Sequence, residues 1–439
     1  MTIIYNIGLL AGIQPEGVLR VEGAEQGRTG TLRNAWLAIE DGRIVDFGEM
    51  DSVTPGSDHS VTPGPDHSVT PGSDRESIDA QGGMLIPGFC DSHTHVVYAG
   101  SRDGEFLDKI NGLSYEEIAA RGGGILNSAD LLQQTSEDEL YRQSLVRVQE
   151  MMDKGTVALE IKSGYGLTPE AEMKMLRVIR RIGQSVPATV KSTFLGAHAV
   201  GRGYTHEAYV QAVIDMIPQA AEYADFIDVF CDEGFFTVED TDRILGAAQH
   251  LLTPKIHANE LAVSGGVQVG VKHQALSVDH LERTTEAEIE ALKGSWTMPT
   301  MLPGSSFFLG LPYGRAKDYI QAGLGIALAS DYNPGSSPCG DMRFVMAQGC
   351  IKMRLTPIEA FNAVTLNSAY AMGVSSDYGS ITRGKKAALL LTTPGWDLTK
   401  LAYHYHTPFI RQVIFPSLPA PTGNLRRTGR VWGRRDTKA

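Results

Sequence analysis

Residues 85–95 read LIPGFCDSHTH, an apolar run that closes on two histidines two positions apart. On a strand, side chains two apart share a face, so His93 and His95 present both imidazoles on one side. What that side faces depends on the pattern downstream. Seven further short segments, rich in β-branched residues and separated by amphipathic stretches, follow: TVALEIKSGYG from Thr156, ATVKSTFLGAHA from Ala188, ADFIDVFCDEG from Ala224, PKIHANEL from Pro254, ALSVDHLE from Ala275, SWTMPTML from Ser295 and GIALASDYNPGS from Gly325. Eight such βα units predict a TIM (β/α)8 barrel over residues 85–379. Between the first two strands, Thr135 and Asp138 form a capping-box pattern, and Leu140, Tyr141, Leu145, Val148 and Met152 fall on one helical face that Gly155 ends.

The flanks differ. LAIEDGRIVDFGEM (37–50) and IDAQGGMLIPGF (78–89) alternate like strands, and KAALLLTTP (386–394) and RQVIFPS (411–417) do so again with no helix expected between them. Residues 1–84 and 380–439 are therefore expected to form one small composite β-sandwich domain. Within it, 53–74 is nearly three copies of a Pro/Gly/Ser/Asp-rich octapeptide, read as a mobile solvent loop whose His59 and His67 bind nothing. The basic tail 426–439 is read as a solvated terminus.

Composition narrows the function classes. At 439 residues, 42% hydrophobic and 21% charged, the chain is an ordinary globular one. A formal net charge of -12 argues against a nucleic-acid partner, which needs concentrated Lys and Arg. A small anionic substrate would instead need a dedicated cation. No apolar run is long enough for a membrane span, and MTIIYNIGLL lacks a basic leader, so a cytoplasmic location is expected. Cys90, Cys231, Cys339 and Cys350 form no CxxC pair, so neither disulfides nor a cysteine metal site is indicated.

In a barrel the active site forms at the C-terminal ends of the strands. Those ends supply His93 and His95, His257, His280 and Asp331. Imidazoles with one carboxylate suit zinc or iron better than calcium or magnesium, so His93, His95, His257 and Asp331 are the expected ligands of one metal ion per subunit. A bound metal lowers the pKa of water to about 7, which suits hydrolysis. Asp331 could also take the water's proton, and His280 could polarise a carbonyl or shuttle a proton. Arg102 offers a bidentate fork for a carboxylate, with an ion pair to Asp103 or Glu105 as the alternative. His404 and His406 repeat the H-x-H spacing outside the barrel and are read as surface residues. RGGGI (121–125) lacks phosphate-loop spacing and is read as a lid segment.

The DxHTH motif at 91–95, with the later single histidines and the final aspartate, resembles the amidohydrolase superfamily. HTHVVYAGSRDGEF (93–106), SYEEIAARGGGI (114–125), EIKSGYGL (160–167), FLGAHAV (194–200), HANEL (257–261) and SDYNPGSSP (330–338) are similar to the imidazolonepropionase family over nearly the whole barrel. That resemblance implies hydrolysis of 4-imidazolone-5-propanoate to N-formimidoyl-L-glutamate in histidine degradation, by a homodimer. It implies substrate contacts at Arg102, Tyr165, His198, Glu260, Asn333, Gly335 and Ser336, with Glu260 also relaying protons. Many superfamily members bridge two metals with a carboxylated lysine after strand four. Here that strand ends in Phe230-Cys231-Asp232-Glu233, so one metal is expected, and Lys162 belongs to strand two. The sequence departs from the family's closing phrase at Ala388, where aspartate is common. A nucleobase deaminase of the same superfamily, or a scaffold that has lost the chemistry, are the rival readings. The first has no need of Arg102, and the second would lack ligands.

Overall fold

The computed structural model of the chain describes residues 1–50, 76–113, 117 and 123–416. The 53–74 repeat and the 426–439 tail lie outside these. Five strands open the fold: β1 (Thr2–Ile13), β2 (Gly30–Glu40), β3 (Arg43–Glu49), β4 (Glu76–Asp79) and β5 (Gly83–Pro87). Eight then form the barrel: β6 (Phe89–Thr94), β7 (Thr156–Lys162), β8 (Thr189–Ala197), β9 (Phe226–Cys231), β10 (Thr253–Ala258), β11 (Ser277–His280), β12 (Met298–Met301) and β13 (Ala327–Leu328). Two more, β14 (Leu389–Pro394) and β15 (Ile410–Ile414), return to the first sheet.

The barrel strands run parallel in chain order from β6 to β13. Bonds between the end strands nearly close the ring, with Asp331 N donating to His93 O at 3.0 Å and His95 N to Tyr332 O at 2.9 Å. Alternation sorts the side chains. In β7, Leu159 and Ile161 pack with Leu176 and Ile179 of the helix Pro169–Ser185, while Glu160 and Lys162 fall on the opposite, inward face. The same split puts Ile227 and Val229 of β9, and Ile256 of β10, into the helix-side core.

The stretch 85–95 is divided. Leu85, Ile86 and Pro87 lie in β5 and pair with β14, and the barrel starts only at Phe89. Gly88 makes the junction: its N–H bonds Ala388 O at 2.9 Å, and a Cβ there would lie 2.3 Å from Val157 Cγ1. The terminal sheet has the order β15-β14-β5-β1-β2-β3, with β4 also on β1. Ile4, Ile7, Leu10, Leu37, Ile44, Leu85, Leu389 and Leu391 make its own core.

Two local expectations are corrected. The helix Glu137–Asp153 is capped one residue later than the pattern suggests, by Ser136 accepting from Glu139 N. Thr135 instead closes the preceding helix Gly124–Gln134, its hydroxyl donating to Leu131 O at 2.7 Å. A helix, Leu398–Tyr403, does stand between β14 and β15, N-capped by Asp397. Six residues are too few for helical periodicity to declare itself.

Side-chain amides stitch the segment 21–28 to the barrel. Asn367 accepts from Val21 N and donates to Val21 O and Ile326 O, each at 2.9 Å, while fully buried Gln26 bonds both N and O of Ile326. Asn367→Ala would strand the Val21 amide and carbonyl without water, at about 1–3 kcal/mol per orphaned group. It should lower stability by about 3 kcal/mol in urea unfolding.

Candidate metal centre

The four expected ligands converge. His93 Nε2 lies 3.2 Å from His95 Nε2, and His95 Nε2 lies 3.4 Å from His257 Nε2. Asp331 Oδ1 stands 3.6 Å from both His93 Nε2 and His95 Nε2. All four residues are buried, and burial holds His93 and His95 well below the usual histidine range and brings His257 down to about 4. Neutral imidazoles aimed at one another have lone pairs to give and too few protons to share. That is the chemistry of a cation site. Two overlapping groups of donors, His93 with His95 and Asp331, and His93 with His257 and His280, each lie within 4.8 Å.

The rings are aimed from behind. His93 Nδ1 lies 2.7 Å from Asp279 Oδ2, and His257 Nδ1 lies 3.0 Å from Asp228 Oδ2. A carboxylate on Nδ1 keeps the proton there and frees Nε2 for the cation. These acids are held in turn by buried lysines. Lys162 Nζ lies 2.6 Å from Glu160 Oε1, 2.7 Å from Asp228 Oδ2 and 3.6 Å from Asp279 Oδ2. Lys255 Nζ pairs with Glu160 and donates to Ser92 O and Ala371 O, each at 3.0 Å. None of these five side chains is exposed. Lys162 is on strand two as expected, but Glu160, Asp228, Lys255 and Asp279 were not anticipated. Their inward register on β7, β9, β10 and β11 was the available signal.

Backbone geometry completes the mouth. Strict alternation would send His280, one residue after inward-facing Asp279, toward the helices. Left-handed backbone at His280 (φ 84°) and Leu281 (φ 66°) breaks the alternation, and the ring ends 5.1 Å from that of His257. Its Nδ1 faces two carboxylates, Glu260 at 3.6 Å and Glu282 at 3.5 Å. Burial works against protonation of His280, yet the two acids outweigh it and hold its pKa well above the usual range. Burial pushes the Glu260 carboxyl up, and brings Asp331 up to about 6. Glu282 was not foreseen. Glu260 is fixed through its backbone: Asp232 Oδ2 accepts from Glu260 N at 2.7 Å and Leu261 N at 2.9 Å.

Tyr165 and His198 lie beside the histidines, with ring centroids 5.9 Å and 5.2 Å from His95. Burial lowers His198 to about 3. Asn333 Oδ1 accepts from Gly335 N and Ser336 N, each at 2.8 Å, so its amide shapes the loop that follows the last strand. Ser336 Oγ lies 3.5 Å from Asp331 Oδ2. Arg102 is paired and at the mouth. It forms a forked ion pair with Glu105, as its more ordinary reading had it, and its guanidinium also lies against Gly335, where a Cβ would meet Nη1 at 2.2 Å. Of RGGGI, Gly124 starts a helix and donates to Glu105 Oε1 at 2.9 Å, while 121 and 122 lie outside the described residues. Among the described residues neither His404 nor His406 joins a ligand cluster.

Comparisons with known proteins bear on the family and the fold. Residues 132–415 match the model of the amidohydrolase family. A protein of Flavobacterium johnsoniae named imidazolonepropionase is 48% identical over 420 residues, 94% of this chain and 98% of its own length. One of the same name from Thermoanaerobacter pseudethanolicus is 36% identical over 94% of this chain and 96% of its own. Among solved structures, a zinc-bound adenosine deaminase from Xanthomonas campestris superposes with a TM-score of 0.66 at 15% identity, over 94% of this chain and 91% of that one. A 5-methylcytosine deaminase from Klebsiella pneumoniae gives 0.68 at 14%, over 95% and 99%. At such identities these two speak for the fold alone. At 48% and 36% identity to two proteins of that name across nearly its full length, the chain belongs to the amidohydrolase family and, within it, to the imidazolonepropionases.

Proposed function

We propose that this chain hydrolyses 4-imidazolone-5-propanoate to N-formimidoyl-L-glutamate, using one divalent zinc or iron ion per subunit held by His93, His95, His257 and Asp331. The observation that carries the reading is the convergence of those four groups at the mouth of a barrel, in a chain 48% identical to proteins named for that reaction. The barrel, 85–379, is the catalytic part, and 1–84 with 380–439 its supporting β domain. The family resemblance also supports a cytoplasmic homodimer. No helix among the described residues is long and apolar enough to cross a membrane.

A cation in this donor set supplies acidification of water, from 15.7 to about 7, and polarisation of a carbonyl. The protein supplies the rest. Water oxygen bonds to the ring carbonyl carbon, the amide C–N bond breaks, and its electron pair leaves on the ring nitrogen, which must gain a proton. Asp331, between the ligand rings and Ser336, takes the proton from water. His280, protonated between Glu260 and Glu282, donates to the carbonyl oxygen as negative charge builds there. The proton taken by Asp331 passes by way of His280 to Glu260, which faces the ring nitrogens and gives it to the leaving one. Arg102 anchors the propionate, and Tyr165, His198 and the Asn333–Ser336 loop enclose the ring. Fixed orientation of this kind removes an entropic part of the barrier.

Metal-reconstituted protein should form N-formimidoyl-L-glutamate and leave a panel of nucleobases untouched. Deamination of a nucleobase without imidazolone turnover would install the rival reading. Chelation should abolish activity, and zinc or iron should restore it. Arg102→Ala should lower kcat/KM by more than about tenfold, about 1.4 kcal/mol, chiefly through KM. Asp279→Ala should weaken metal binding by about 10–100-fold in chelator competition, because His93 loses the group that orients it.

A further inference from the structure

The loop that leaves β7, Ser163–Leu167, carries Tyr165 into the mouth. Its backbone turns sharply, with left-handed residues at Gly164 (φ 107°) and Leu167 (φ 53°). Such a loop exposes amides that neither sheet nor helix can satisfy. One side chain takes three of them. Glu172 Oε2 accepts from Gly164 N at 3.0 Å, and Oε1 accepts from Gly166 N at 2.7 Å and Leu167 N at 3.0 Å.

Glu172 sits in the first turn of the helix Pro169–Ser185 and is wholly buried. Among the described residues no lysine or arginine pairs with it; burial pushes its carboxyl up, and the backbone amides and the Ser163 hydroxyl offset part of that. An unpartnered carboxylate there would cost several kcal/mol, so the amides and the acid fix one another. The same loop reaches a second strand. His198, after β8, has Nδ1 3.1 Å from Gly164 O, and its ring lies 5.5 Å from that of Tyr165. There is no slack: a Cβ on Gly164 would meet His198 Nδ1 at 2.9 Å, and one on Gly166 would meet Glu172 N at 2.4 Å.

We propose that Glu172 is a positioning residue for substrate recognition, holding Tyr165 through the Gly164 and Gly166 amides on either side of it and His198 through the Gly164 carbonyl. The kinetic part of this inference rests on the proposed hydrolase reading; the geometric part does not. Glutamine at 172 would turn an N–H2 toward amides that need an acceptor. Glu172→Gln should therefore raise KM for imidazolonepropanoate at least tenfold, leave kcat within about threefold and leave metal content unchanged. In a Tyr165→Phe/His198→Ala background the same change should cost less than twofold. Gly166→Ala, whose methyl would press against Glu172 and part it from the loop, should reproduce the KM effect and serves if Glu172→Gln fails to fold. The imidazole 15N signals of His198 should also shift in either variant. Should the native protein lack the activity, the hydrolase reading falls, and the His198 signals still test the contact. An unchanged KM with unchanged His198 signals, or a loss of kcat and metal together that persists in the double-variant background, overturns the proposal.

Discussion

Lys162 is enclosed at the centre of the barrel between Glu160 and Asp228, with Asp279 just beyond, and the site rests on that ammonium. Barrels of this kind are usually filled by branched aliphatic side chains. Here the layer beneath the mouth holds two lysines and three acids with no exposure. Removing one partner from such a set leaves a buried charge uncompensated, at about 3–5 kcal/mol, so the network stands or falls together. It also turns strand register into ligand orientation. The two acids that touch Lys162 on its ligand side are the ones behind His257 and His93.

Much of this was legible in the sequence. The eight strands could be read because β-branched segments recur between amphipathic ones, and the convergence of His93, His95, His257 and Asp331 because H-x-H spacing and strand ends both point inward. The acids behind the histidines escaped notice because Asp228 sits inside an otherwise apolar strand and Asp279 between Val278 and His280, where a charged residue has no meaning until its partners are known. The course of His280 was not legible at all: its left-handed backbone has no glycine to announce it. Glu172 drew no reading at all, because an acid in the first turn of a helix is ordinary. Arg102 shows the limit from another side, since the ordinary ion pair and the place at the mouth turned out to coexist.

The mouth follows one rule of construction. Among the described residues, three mouth loops are each gathered around a buried acceptor: Glu172 for 164–167, Asp232 for 260–262, and Asn333 for 335–336. Loops are ordinarily the mobile part of a fold. Tying their amides to single side chains gives loop residues the fixity of strand residues, which a site that must orient a small flat ring requires.

The passage from the terminal sheet into the barrel has an evolutionary corollary. Only Gly88 separates β5, sewn into a sheet made from both ends of the chain, from β6, which carries His93 and runs directly into His95. The barrel is therefore not a portable module. A gene fusion or truncation that kept Phe89 onward and discarded what precedes it would cut the moorings of its most important strand, so the flanking sheet and the catalytic ring must be inherited as one piece.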